Sequence, residues 1–241
     1  YDEQAEIDNP EALYIQLNRL SPTPFSSFIK IKDKYVISAS PERFLAKRGN
    51  TLVSQPIKGT AARGKNAKED DELRTNLANN PKEIAENVMI VDLVRNDLTR
   101  SAIPGTVEVT EKLGIYTFEH VHQMISTVSC QVDESLSDTE VIRNTFPAGS
   151  MTGAPKISAM KLCDKYETSR RGVYSGAIGY FSADGDFDFN VVIRTILFNK
   201  TQQYLSFHTG SAITVDANAA HEFAECYTKA SAILKALEQK L

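Results

Sequence analysis

The most constraining feature of the sequence is a series of short apolar runs joined by connections too brief to hold a helix. Phe25 to Ile31, Lys34 to Ser38, Arg43 to Lys47 and Thr51 to Ser54 are separated by Lys32-Asp33, a link through Ser40-Pro41, and Gly49-Asn50. Parallel neighbours need a crossover of about a dozen residues or more, so strands linked this tightly form an antiparallel meander. A charged loop around Arg63-Gly64-Lys65-Asn66 leads to a short polar helix from about Lys68 to Leu77. Asn80-Pro81 then supplies an N-cap with proline at the first helical position. The helix it opens runs to Asp97, with Ile84, Val88, Val91 and Val94 at helical spacing. The pattern continues with a strand region from Thr106 to Val132 and helices from Ser137 to Phe146 and Pro155 to Tyr166. Strands from Gly176 to Phe181, Asp188 to Phe198 and Gln203 to His208 precede a closing helix from about Ala217 to the end. No low-complexity linker or repeat divides the chain, so the expectation is one α+β domain over residues 1–241 with extensive antiparallel sheet. The polar start without an initiator Met leads us to expect a piece of a longer protein.

Composition narrows the function classes. With 41% apolar and 24% charged residues over 241 positions, the chain can bury a sizeable core. A formal net charge of -4 argues against a nucleic-acid partner, which calls for a basic footprint. No apolar run is long enough to cross a bilayer, and the start has neither a basic n-region nor an apolar h-region, so no membrane partner is expected. Cys130, Cys163 and Cys226 are odd in number and without a CxxC pair. They read as reduced thiols, which gives a cytoplasmic expectation and no zinc site. A small-molecule substrate is the remaining default.

Three constellations carry possible chemistry. Glu83 and Glu86 lie three apart on one helix, and Glu222 and Glu225 repeat the spacing on the last, so each pair projects from one helical face. Oxygen donors of this kind suit Mg2+, which needs one or two protein carboxylates beside an anionic substrate. Spacing alone reads more readily as solvated surface charge, because Glu pairs on helices are common. Lys229 extends the second face, within reach of Glu225 at i,i+4 or of an anionic ligand. The turn Pro147-Ala148-Gly149-Ser150-Met151-Thr152-Gly153-Ala154-Pro155 is either an ordinary helix connection or an anion-receiving loop leading into a helix N-terminus. Thr209-Gly210-Ser211-Ala212 offers further backbone donors. Finally, Lys58 in Pro56-Ile57-Lys58-Gly59-Thr60 directly follows a strand. A lysine there is either an exposed loop residue or, if desolvated, a nucleophile or base.

Taken together, these stretches resemble the chorismate-binding family, which includes anthranilate synthase component I, aminodeoxychorismate synthase component I and the isochorismate and salicylate synthases. The resemblance runs from Ser21-Pro22-Thr23-Pro24-Phe25 to the last helix. It is most specific at Ser40-Pro41-Glu42-Arg43-Phe44, Pro56 to Thr60, Ala85 to Leu93 continuing to Arg95-Asn96-Asp97, Phe146 to Lys156, and Tyr174 to Tyr180. It implies a layered α/β/β/α sandwich of antiparallel sheets with outer helices, and a catalytic domain in the C-terminal part of its longer chain. It assigns Mg2+ chiefly to Glu86 and Glu225, with Glu83 and Glu222 around it, and chorismate binding to Gly149, Ser150, Thr152, Gly153, Tyr174, Arg194, Gly210 and Lys229. An Arg suits a carboxylate of chorismate because its fork donates two charge-assisted hydrogen bonds.

Lys58 selects the branch. Anthranilate synthases resemble this motif with Ala in its place, whereas Pro-Ile-Lys-Gly-Thr resembles the aminodeoxychorismate synthases. There the lysine attacks carbon 2 of chorismate as the carbon 4 hydroxyl leaves, ammonia then enters at carbon 4, and Glu42 occupies the acid/base position. The implied reaction is amination of chorismate to 4-amino-4-deoxychorismate on the route to 4-aminobenzoate and folate. Its ammonia would come from a glutamine amidotransferase subunit, because the chain shows no amidotransferase motif of its own. Gln123 stands where relatives often carry a His linked to pyruvate elimination. A Gln relays no proton at neutral pH, and His122, one residue away, points to the other strand face. Ala61-Ala62 and Ala212 are milder departures. Anthranilate or isochorismate/salicylate synthesis, and a non-catalytic chorismate- or amidotransferase-binding module, remain the alternatives.

Overall fold

The computed structural model describes residues 1–215 and 217–238. The first elements are β1 (Asp2–Gln4), α1 (Pro10–Leu20), β2 (Phe25–Ile31), β3 (Lys34–Ser40), β4 (Arg43–Arg48), β5 (Thr51–Gln55) and β6 (Ile57–Ala62). Two helices follow, α2 (Ala67–Ala78) and α3 (Pro81–Thr99), then β7 (Glu108–Thr117), β8 (Val121–Gln131), α4 (Asp138–Thr145) and α5 (Lys156–Tyr166). The chain closes with β9 (Ala177–Phe181), β10 (Phe187–Val191), β11 (Thr195–Asn199), β12 (Tyr204–Phe207) and α6 (Ala219–Glu238). Residues 239–241, to which the sequence pattern extends the closing helix, lie outside the described residues.

Contacts divide the chain into two compact units. The first comprises Tyr1–Pro41, Arg171–Ile178 and Asn190–Leu241, and the second Glu42–Arg170 and Gly179–Phe189. The first holds a five-stranded antiparallel sheet in the order β1-β12-β11-β3-β2. Its core is one-sided. Leu13 and Leu17 of α1 and Ala230, Ile233, Ala236 and Leu237 of α6 pack with Tyr35, Ile37, Ile196, Phe198, Leu205 and Phe207 of the sheet. At roughly 25 cal/mol per Å2 of apolar surface, a cluster of this kind is the main stabilising contribution of the unit.

The second unit carries the other sheet, in the order β6-β8-β5-β4-β10-β9, with β7 also paired to β8. The β4–β5, β5–β8, β6–β8 and β7–β8 pairings are antiparallel. Helix α3 starts as its punctuation requires: Pro81 is the first helical residue, and the Asn80 side chain accepts from the backbone N–H of Lys82 and Glu83. Its contacts fall on β8 and β6. The buried stripe is Asn87, Ile90, Val91, Leu93, Val94, Asp97 and Leu98, whereas Ile84 and Val88 are only half-buried. The stripe thus includes two polar residues that hydrophobic spacing passes over. Helix α4 is closed by a capping box between Ser137 and Glu140.

The α+β class holds, but the expected meander divides into two hairpins, β2–β3 in the five-stranded sheet and β4–β5 in the other. Three further local expectations change. The region from Thr106 to Val132 is two strands, β7 and β8, joined at Phe118 to His120, where the Phe118 N–H donates to the Val121 carbonyl at 2.8 Å. The run from Asp188 to Phe198 breaks between β10 and β11 because Arg194 adopts a left-handed backbone, φ 50°. Helix α1 replaces what the sequence reading leaves without structure. The motif from Pro56 to Thr60 directly follows a strand, β5, as expected, and from Ile57 it forms a further short strand, β6, that holds Lys58.

Candidate active site

In the second unit the candidate residues gather where α3 lies against β6. Strand β6 carries one residue more than β8 between the pairs Ile57–Ile125 and Thr60–Gln123, so it bulges at Lys58 and Gly59. A bulge re-aims a side chain that regular pairing would fix. Gly59 permits it: its φ is +97°, and an added Cβ would lie 3.1 to 3.3 Å from Leu77, Met124 and Glu83. The half-buried Lys58 side chain places Nζ 4.0 Å from Glu86 Oε2, and Lys82 Nζ lies 3.9 Å from Glu86 Oε1. Glu86 therefore faces two ammonium groups, while Glu83, one turn earlier, lies beside Gly59.

Asn87 ties helix to strand. Its Nδ2 donates to the carbonyls of Lys58 and Met124, at 3.3 and 3.4 Å, and its Oδ1 accepts from the Ser126 hydroxyl at 2.6 Å. The Ser126 Oγ in turn accepts from the Leu113 N–H at 3.0 Å. Buried amides must be satisfied, so this network fixes the height of α3 on the sheet and with it the Lys58 backbone. Sequence reasoning passed over Asn87, although a polar residue on the inward stripe of α3 is a signal for such a tie. Glu42, the expected acid/base, is buried in the link between β3 and β4. Gln123 and His122 are both buried in β8, and strand alternation gives them opposite faces. His122 is committed to Asp70 and Thr117, at 3.0 and 2.9 Å.

The expected anion loop rests on the later turns of α3. Gly149 is buried against Leu93 and Val94, and Thr152 returns both its N–H and its hydroxyl to the Gly149 carbonyl at 3.1 Å. Ser150 and Gly153 belong to the same loop, and Pro155 caps α5 rather than opening it. Lys156 Nζ bonds Asp97 Oδ2 at 2.7 Å. Burial pushes the Asp97 carboxyl up and the Lys156 ammonium down, each against the pull of its partner.

The first unit assembles the other candidates by themselves. The Ser175 N–H donates to the Val192 carbonyl and the Val192 N–H to the Gly176 carbonyl, both at 2.9 Å, joining the Tyr174 segment to the strand break at Arg194. Ser175 and Arg194 both have positive φ, 71° and 50°. Non-glycine residues in this region carry strain that tends to cluster at functional sites. Tyr174 stacks on His208, with centroids 5.4 Å apart, and its hydroxyl would lie 3.0 Å from a Cβ at Gly210. The Gly210 carbonyl accepts from Lys229 Nζ at 2.9 Å, and Lys229 also pairs with Glu225 at 2.7 Å. The Ser211 hydroxyl donates to the buried Glu222 carboxylate. The Gly210-Ser211 segment thus supplies a carbonyl and a hydroxyl that secure the α6 side chains.

The structure brings Lys58, Glu83 and Glu86 together in one unit and Tyr174, Gly210, Glu222, Glu225 and Lys229 together in the other. Among the described residues, no three His, Cys, Asp or Glu side chains group closely enough to hold a metal ion by themselves. Cys130, Cys163 and Cys226 are free, and burial pushes the Cys130 thiol up to about 11, which makes it a packing residue. No described helix is long and apolar enough to cross a membrane.

Comparison with known proteins gives the chain a family. The family model for chorismate binding enzyme matches residues 2–235. The chain is 41% identical over 236 residues to aminodeoxychorismate synthase component 1 of Salmonella typhimurium, covering 98% of this chain and 52% of that protein. It is 38% identical over 229 residues to anthranilate synthase component 1 of Saccharolobus solfataricus, covering 95% and 54%. Among solved structures, anthranilate synthase component I from Streptococcus pneumoniae superposes with a TM-score of 0.84 at 34% identity, covering 95% of this chain and 50% of the other. The chain therefore spans about half the length of these relatives. On the family match over nearly its whole length, the chain belongs to the chorismate binding enzyme family.

Proposed function

We propose that the chain carries the chorismate-converting chemistry of an aminodeoxychorismate synthase, using ammonia to make 4-amino-4-deoxychorismate. The observation that carries this reading is the placement of Lys58. It sits at a β-bulge, with its amine directed toward Glu86 and its backbone fixed by Asn87. A lysine so held has the fixed geometry that a nucleophile requires. Gln123 supports amination that stops short of pyruvate loss, since no side chain at that position relays a proton and His122 is committed elsewhere.

The steps balance as follows. Lys58, its ammonium having first given a proton to solvent, bonds through the free amine to carbon 2 of chorismate, the two ring double bonds shift, and the bond from carbon 4 to its hydroxyl breaks. Glu42, as the acid, gives that leaving oxygen its proton, and water departs. Ammonia then bonds to carbon 4, the double bonds return, and the bond from carbon 2 to Lys58 breaks. The proton lost by ammonia returns to Glu42, and the net change is chorismate plus ammonia giving aminodeoxychorismate plus water. Arg194, Tyr174, Gly210 and Lys229 hold substrate on this reading, as do Gly149, Ser150, Thr152 and Gly153.

On this reading the ion is Mg2+, because carboxylate oxygens are the donors that a hard divalent cation takes. Glu86 and Glu225 would hold it, with Glu83 and Glu222 in support, and a hard ion completes such a set with a substrate carboxylate and water. When bound, it neutralises the ring carboxylate. Ammonia would come from a glutamine amidotransferase subunit, a reading supported by the designation component 1 in several relatives' names. The test is to incubate the chain with chorismate, MgCl2 and ammonium salt and identify the product by chromatography. Anthranilate or isochorismate as the main product sinks the amination reading, and chorismate binding without turnover favours the binding module.

A further inference from the structure

The loop from Pro147 to Pro155 is closed at its neck by the residue that follows it. Lys156, the first residue of α5, sends its ammonium back to the Pro147 carbonyl at 2.7 Å, to the Thr145 carbonyl at 3.2 Å and to Asp97 Oδ2 at 2.7 Å. All three ammonium donors are thereby used. Thr145 ends α4, so its carbonyl is one that the helix itself leaves unpaired. Three segments meet at one nitrogen: the later part of α3, the end of α4 and the start of the loop.

Stability alone does not account for this arrangement. The Lys156 and Asp97 side chains are 9% and 5% exposed, and desolvating two charges offsets most of what their attraction gives. Well-packed apolar residues of similar volume are often as stabilising. What they lack is direction: hydrogen bonds set three chain segments at fixed distances, and apolar contact does not. The loop body is built to the same standard. Gly149 fits where a Cβ would press on Leu93 at 3.2 Å, Thr152 folds back on the Gly149 carbonyl, and the Ser150 hydroxyl is enclosed without a hydrogen-bond partner among the described residues.

We propose that Lys156 and Asp97 are positioning residues, a buried latch that holds the Pro147–Pro155 loop in the shape that receives a carboxylate of chorismate. The proposal rests on the reading of this loop as part of the chorismate site. Neither residue touches substrate; both act through the loop backbone. Small displacements of a binding loop are costly, since a shift of about 1 Å can change rates by about a hundredfold.

The test is isothermal titration of chorismate, in MgCl2, into the 241-residue chain and its variants, with thermal unfolding midpoints measured alongside. Absence of binding in the wild type removes the chorismate reading, and the latch with it. With wild-type binding established, the paired variant Asp97→Leu/Lys156→Met separates the two roles. A latch leaves the midpoint near wild type and weakens chorismate binding by about tenfold, whereas a merely structural pair lets affinity follow stability. Affinity within about threefold of wild type overturns the latch. Should the paired variant not fold, Asp97→Asn keeps the side-chain shape and one acceptor oxygen. A folded Asp97→Asn protein weakened beyond about threefold supports the proposal, and one within that range overturns it.

Discussion

The two units secure their candidate residues by different means. In the second, Lys58 and Glu86 are 19% and 13% exposed, the buried Asn87 ties the Lys58 backbone to α3, and a buried Lys156–Asp97 pair lies near the end of that helix. In the first, Glu225 and Lys229 are 45% and 33% exposed and hold each other across one helical turn. Buried hydrogen bonds fix position within a few tenths of an ångström because leaving them unmade is expensive, whereas an exposed i,i+4 pair contributes only about 0.3 to 0.5 kcal/mol. The difference matches the chemistry proposed for each. Bond making at carbon 2 demands a fixed nucleophile, and binding an anion tolerates an adaptable cation.

The sharpest way to break that comparison is Lys58→Ala. Amination in the product assay is expected to fall by about three orders of magnitude while the thermal midpoint stays near wild type. An undiminished rate removes Lys58 from the chemistry and leaves the second unit's order without a catalytic purpose.

The carboxylates come next. Chelation of Mg2+ with EDTA is expected to abolish turnover, and Glu86→Gln to raise the Mg2+ concentration for half-maximal rate by about ten- to a hundredfold. Glu225→Gln should act in the same direction but less, because its carboxylate is the more solvated of the two. A larger effect at Glu225 reverses the ranking of the two units.

The sequence reads as one domain, and the division into two units was not legible in it; the elements that carry the candidate residues were, because local rules govern them. Asn80-Pro81 places α3 at its true start, the tight turns give the β2–β3 and β4–β5 hairpins, and Lys58 and the glutamate pairs stand out by type and spacing. What escaped is tertiary. Asn9-Pro10 repeats the same helix signal, but α1 shows only Pro10, Leu13 and Leu17 to the core, too narrow a stripe to read as periodicity. The break at Arg194 hides within an apolar run, since a left-handed residue other than glycine leaves no compositional mark. Asn87 and Asp97 fall outside any apolar spacing, and only their partners on other elements make them part of the buried stripe.

Those partners give the third comparison. Asn87→Ala strands the Ser126 hydroxyl and frees the Lys58 carbonyl, and is expected to cost about 2 kcal/mol in denaturant unfolding. Lys229→Met breaks the exposed pair and should cost no more than about 0.5 kcal/mol. Equal costs would show that burial is not what distinguishes the two units.

The smallest effect belongs to Asp70 of α2, which clamps the end of β6 from outside. Its carboxylate accepts from Arg63 Nε and Nη2 at 2.8 and 2.9 Å and from the Gly64 N–H at 2.8 Å, and it meets His122 Nε2 at 3.0 Å. The Arg63 guanidinium first, then the Gly64 N–H and the His122 contact, hold this carboxyl well below the usual carboxylate range. A carboxyl whose folded pKa lies below its unfolded value of about 3.9 stabilises the fold at every pH above that value. The contribution is lost only as pH falls through the depressed folded value. Asp70→Asn should therefore lower the thermal midpoint slightly, by the same amount at about pH 7 and about pH 5, with the gap closing only in strong acid. A gap that changed between those two pH values would show that a group other than this carboxyl governs the clamp.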